Sequence, residues 1–213
     1  MVRKIVERVP DEVLQQDLEK YRQRVLELGA TDAKIITTDM IVIDERVRAK
    51  CIHPLCASYG SSVNCPPYAV DLDLIRKIVN KFQYAIFNKL EVPAEKIAGP
   101  EAREKKWSVP YSRKNFEIVG KIEAEAFYDG YYLAMGFASG SCKRVFCPEV
   151  DCSALIPGQP CQFPLKARAS MEGAGMDAYA MATKVGWDIY PLGRAVPSPD
   201  VPFGVVLGLV LIY

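Results

Sequence analysis

The chain has 213 residues, with 27 Lys and Arg against 26 Asp and Glu and a net charge of +1. A fold of that size buries roughly 70–75% of the surface its unfolded chain exposes, so it builds an ordinary hydrophobic core and needs no cross-links to stay folded. The balanced charge excludes a basic field for nucleic acid and an acidic solvating tail, and it leaves seven cysteines to be explained by chemistry.

The first ten residues alternate charge with Val and Ile and carry no apolar stretch of signal-peptide length. From Asp11 to Leu28, apolar residues recur at helical spacing (Leu14, Leu18, Tyr21, Val25), with Asp11 as the expected cap and Gly29 as the stop. Short β-branched runs at 33–37 and 40–44 predict strands. A Cys/Pro/Gly-rich loop covers 51–68, and Asp71 opens a second helix with its stripe at Leu72, Ile75, Val79 and Phe82.

Residues 84–92 predict a strand, and 93–110 a charged loop with at most a helical turn. Its basic run through Arg103, Lys105 and Lys106 is interrupted by Glu101 and Glu104 and reads as a solvated face. A long helix is predicted over 113–135, weakened by Gly120 and Gly130. A second Cys/Pro/Gly-rich loop spans 139–164, followed by helices over 166–171 and 177–185 and strands over 187–192 and 204–213. The apolar C-terminal run is about half the length of a membrane-spanning helix. The expected protein is soluble and cytoplasmic, without membrane or nucleic-acid partners. Its fold class is α+β (or mixed α/β): one domain, 1–213, with a small mixed sheet flanked by helices and the two cysteine loops meeting at one edge.

The cysteines carry the most specific signal. Cys51, Cys56 and Cys65 are spaced C-x4-C-x8-C, and Cys147, Cys152 and Cys161 repeat that spacing, each 96 residues after its counterpart. Cys142 lies one further x4 gap upstream. Five residues turn a helix by about 500°, which splays the two side chains by roughly 140°. On a strand an odd separation puts them on opposite faces. Only irregular backbone aims all three sulfurs at one point, and Pro54, Gly60, Pro66 and Pro67, then Pro148, Pro157, Gly158 and Pro160, supply it.

Clustered thiols in a reducing compartment point to metal or redox chemistry. Iron–sulfur fits better than zinc, because tight Cys pairs are absent and there is a single histidine. Cys142, Cys147, Cys152 and Cys161 can hold one 4Fe-4S cluster, and Cys51, Cys56 and Cys65 a second with one iron open. His53 is a candidate fourth ligand, although a loop histidine is more often simply exposed. The helix predicted after the second loop would aim its N-terminus at the cluster, with Arg168 donating to cluster sulfur or an anionic substrate. Glu172, four residues on, would hold Arg168 in place.

The segments CIHPLCASYGSSVNCPPY and GSCKRVFCPEVDCSALIPGQPCQFPLKARASMEGAGMD resemble the prokaryotic domain-of-unknown-function family 2284, predicted metal-binding proteins. The resemblance implies metal binding through Cys51, Cys56, Cys65, Cys142, Cys147, Cys152 and Cys161, and implies no reaction. Two functional expectations from different classes follow. One is an electron carrier with a redox protein partner. The other is an enzyme whose three-cysteine cluster offers an open iron to substrate or sulfide. A zinc-stabilised binding module is the third possibility.

Overall fold

The computed structural model describes residues 2–192 and 197–213. Helix α1 (Asp11–Glu27) buries Leu14, Leu18, Tyr21 and Val25 along one stripe, as its periodicity requires. Pro10, not Asp11, occupies the N-cap, and Asp11 sits in the first turn, where a carboxylate complements the helix dipole. Strand β1 (Asp32–Thr37) follows. Residues 40–44 do not form a strand. The chain turns through a short 3-10 segment at Thr38–Met40, with the Thr38 hydroxyl donating to the Phe82 carbonyl (2.7 Å), and only Ile43 makes a bridge, to Met176.

Asp44 then caps the short helix α2 (Glu45–Ala49). Beyond the first cysteine loop, Asp71 caps α3 (Leu72–Val79), accepting from the Asp73 N–H (2.8 Å). Strand β2 (Tyr84–Pro93) runs into α4 (Ala94–Ile97) and α5 (Gly99–Glu104), where a loop was expected.

Helix α6 (Val109–Tyr128) starts four residues before the predicted position, because proline is tolerated in a first helical turn. It runs through Gly120, where the Leu165 carbonyl passes 2.9 Å from the place a Cβ would occupy, and stops at Gly130, which has φ +100°. The remaining elements are β3 (Met135–Ala138), α7 (Cys142–Phe146), β4 (Ala169–Ser170), α8 (Ala178–Lys184) and β5 (Phe203–Leu211).

The sheet order is β1-β2-β5-β3-β4, antiparallel except for the β3/β4 pair. Alternation along the central strands sends Ile86, Leu90, Val206 and Val210 to one face, under α1 and α6. Phe87, Leu207, Leu209 and Leu211 face the other side, against Met171, Met176, Met181 and Trp187. This is the expected α+β architecture with a small mixed sheet.

Two predicted elements are replaced. Residues 166–171 form no helix: after a single turn on the Phe163 carbonyl, Ala169 and Ser170 pair with Phe137 and Ala138 as an added edge strand. Residues 187–192 form no strand. Trp187 stacks on Phe87 at 4.8 Å and donates to Asp32 (2.8 Å), so its aromatic bulk fills the core without a ladder. Pro191 also has no N–H to give one.

Candidate metal centre

The two cysteine loops, one between α2 and α3 and the other after β3, meet. The first is closed by Arg48 of α2, whose guanidinium donates to the carbonyls of Ala69 (3.2 Å), Val70 (3.1 Å) and Gly173 (2.7 Å). The second begins with α7, which packs on α6 by an edge-to-face contact of Phe116 with Phe146 (5.5 Å) and continues to Phe163 (5.4 Å). Where the loops touch, the contacts are reciprocal. Asn64 donates its amide to Cys142 Sγ (3.5 Å), and the Ser141 hydroxyl lies 3.4 Å from Cys65 Sγ. Each of those two polar residues immediately precedes the cysteine of its own loop.

All seven cysteines are free thiols. Cys51, Cys56 and Cys65 line one cavity of about 220 Å³, together with Ser141, Arg144 and Glu172. Cys56 is exposed at its edge and Cys65 buried within. Backbone N–H groups point at two sulfurs, Ser58 to Cys56 and Phe163 to Cys161, each at 3.4 Å. Cys142 is buried at the junction, with Ser62 and Asn64 of the first loop around its sulfur.

Burial, helped by Cys56, Cys65 and Glu172, pushes the Cys51 thiol up against the opposing pull of Arg48. Burial also raises Cys142, despite its hydrogen bonds with Asn64 and Ser62, which oppose it. Cys147 is raised by burial and then by Cys161 and Cys152. Thiols raised in this way are weak nucleophiles at neutral pH. A bound cation reverses that balance, since coordination deprotonates a thiol outright.

Neighbouring thiols bear on one another's charge both within a loop and across the junction. Cys51 responds to Cys56 and Cys65, Cys147 to Cys152 and Cys161, and Cys142 to one member of each, Cys65 and Cys152. Among the described residues, no three Cys, His, Asp or Glu side chains converge on the position of a single metal ion. The donor set fits a metal–sulfur group all the same: soft thiolates, partly dry, with N–H donors aimed at sulfur.

A family model for predicted metal-binding proteins (DUF2284) matches residues 34–211. The chain belongs to that family. No curated protein matches it, and no solved structure does. The DUF2284 match covers all seven cysteines, both loops and the whole sheet except the first two residues of β1.

The other predicted residues separate. Glu172 reaches the cysteine cavity, held by the Ser139 hydroxyl (2.9 Å) and the Gly140 N–H (3.3 Å). Arg168 does not pair with it. With no helix at 166–171, Arg168 turns to α6 and forms a two-pronged pair with Glu123 (2.9 and 2.8 Å). His53 is exposed and is not part of the cavity wall. The sequence reading missed Asn64, Ser141 and Arg144. The only sequence signal for the first two was their place directly before a cysteine.

Proposed function

We propose that this DUF2284 chain binds iron–sulfur clusters through its seven cysteines and serves redox chemistry. The observation that carries the reading is the meeting of two loops of identical cysteine spacing, each supplying a polar group to the other's sulfur. A zinc tetrahedron with Zn–S near 2.3 Å needs sulfurs about 3.8 Å apart. Seven cysteines with a single histidine do not fill two all-cysteine tetrahedra of that kind, which supports a metal–sulfur cluster instead. Cys147, Cys152 and Cys161, completed by Cys142, would hold a closed centre; Cys51, Cys56 and Cys65 would hold the second. A cluster supplies one-electron transfer when bound. The chain's own contribution is donors at Cys56, Cys142 and Cys161, which favour the reduced, more negative state.

A second reading has its own support. The cavity at Cys51, Cys56 and Cys65 has room for a small molecule, with Arg144 and Glu172 on its wall. That favours an open metal position and substrate chemistry at the first centre, while the second transfers electrons. Anaerobic purification followed by iron, sulfide and zinc analysis and an EPR spectrum tests the cluster itself. Brown protein with acid-labile sulfide is expected, and stoichiometric zinc without sulfide would overturn it.

A further inference from the structure

Beside the cysteine cavity lies a second one of about 190 Å³, lined by Ala57, Ser58, Ser61, Lys106, Lys143, Arg144 and Pro148. Three cations and no carboxylate form its wall. It borders the cysteine cavity, because Ser58 and Arg144 line both. Ser58 is itself buried and gives its N–H to Cys56 Sγ, which puts one end of the basic cleft against a thiol of the first group. Lys143 is anchored by its ammonium to the carbonyls of Cys147 (2.7 Å) and Pro148 (3.3 Å), so its charge is fixed in place without being neutralised.

Lys106 supplies an independent observation. Among the described residues it alone is a non-glycine with a left-handed backbone, φ 55°. It occupies the position just past α5 in a Schellman turn, in which Trp107 N–H bonds the Ala102 carbonyl (3.1 Å) and Lys106 N–H the Arg103 carbonyl (3.4 Å). Glycine is the favoured residue there, because a side chain in that conformation is sterically penalised. A lysine at this position works against the turn, and it lines the cleft. An unfavourable local choice of this kind is accounted for when the side chain has a task.

We infer that this cleft binds a compact oxyanion, the phosphate or carboxylate of a small-molecule substrate, and presents the rest of that molecule to Cys51, Cys56 and Cys65. Guanidinium forks and ammonium groups recognise such oxyanions, and Lys106 and Arg144 are exposed to meet one from solvent. The presentation step rests on the open-centre reading above; the anion site does not. Arg144 is the link, bordering both spaces.

The test is calorimetric titration of the purified protein with inorganic phosphate and with acetate, in matched chloride. Saturable one-to-one binding is expected, tighter for phosphate if the substrate is a phosphoester and for acetate if it is a carboxylate. Arg144→Gln and Lys106→Gly should each weaken it at least tenfold. Lys106→Gly should also raise the denaturation midpoint, which excludes misfolding as the cause. Lys105→Gln is the control: that lysine pairs with Glu101, lies over Trp107 and is not part of the cleft, so binding should be unchanged.

Phosphate should shift the EPR signal of the wild type and not of Arg144→Gln. No saturable binding beyond chloride, or equal weakening by Lys105→Gln, would overturn the inference. Iron and sulfide analysis of the same samples separates the two readings. Normal cluster content without saturable binding of either phosphate or acetate refutes the anion site alone. Saturable binding without iron or sulfide refutes the open centre and leaves the anion site standing.

Discussion

Asn64 gives its side-chain amide to the sulfur of Cys142, 3.5 Å away and 78 residues on in the chain. Ser141, next to that cysteine, returns a contact to Cys65, next to that asparagine. The exchange fixes the register of one cysteine loop against the other. It also puts hydrogen-bond donors at sulfurs from outside their own loop, where they act on electron density at any metal those sulfurs hold.

Asn64→Ala therefore tests whether Cys142 is a ligand. A donor to a cluster sulfur favours the reduced state, and losing a bond with a net worth of about 0.5–1.5 kcal/mol should lower a one-electron potential by roughly 20–60 mV. Iron content should stay at the wild-type level. An EPR-monitored redox titration reads the shift, and an unchanged potential would mean that Cys142 binds no cluster. In Cys142→Ser, loss of iron from the centre that depends on Cys147, rather than the one that depends on Cys51, is expected if the allocation above holds.

Arg168→Ala is expected to act on the fold rather than on a cluster. The arginine and Glu123 keep only 15% and 22% of their side chains exposed, and their two-pronged contact ties the β4 segment to α6. Removing one partner of such a part-buried pair costs about 1–3 kcal/mol. Denaturant unfolding of the two single variants and of Arg168→Ala with Glu123→Ala isolates the pair's coupling. A shifted reduction potential at unchanged stability would overturn this structural role.

What was legible in the sequence was whatever repeats along it. The stripes of α1 and α3, the β-branched β1 and β2 and the glycine-punctuated β5 follow from local period and propensity. So do the two cysteine loops, because their spacing recurs. The failures nearest the site share one physical cause: contacts from far along the chain. Ala169 and Ser170 leave a helical pattern because Phe137 and Ala138 offer an unpaired strand edge. Trp187 leaves a strand pattern because Asp32 and Phe87 hold its ring. Arg168 and Glu172 were paired on a helix that does not form, and Arg144 and Lys106 come together only through the packing of α7 near the end of α5.

The buried carboxylate of Asp17 gives a pH-dependent prediction. Burial alone would raise its pKa, but hydrogen bonds from Arg3 and from the Tyr131 hydroxyl (2.7 Å) outweigh this and hold it below the usual range. A depressed folded pKa means that the stability it contributes is fully present above the unfolded value, about 3.9, and fades as pH falls through the folded one. Asp17→Asn should therefore be less stable than the wild type at pH 7, with the gap narrowing below about pH 4. Urea midpoints across pH 2–7 measure it, and a gap that does not change with pH would contradict the assignment.

The two cysteine groups should also differ in how they lose metal. Cys56 is exposed at the mouth of the 220 Å³ cavity, whereas Cys142 is buried beneath both loops. An oxidant or chelator in solution reaches the first group through that cavity and the exposed Cys56; the second group offers only the half-buried Cys147, Cys152 and Cys161, and its Cys142 is covered while the loops stay joined. Mild ferricyanide treatment of the anaerobic protein should then remove iron in two phases, the faster from the centre of Cys51, Cys56 and Cys65. Cys56→Ser should abolish the fast phase and keep the slow one, and Cys147→Ser should do the reverse. Asn64→Ala loosens the junction between the loops, so it should speed the slow phase without changing the fast one. A single phase in the wild type, or loss of both phases in Cys56→Ser, would mean that the seven cysteines serve one shared centre.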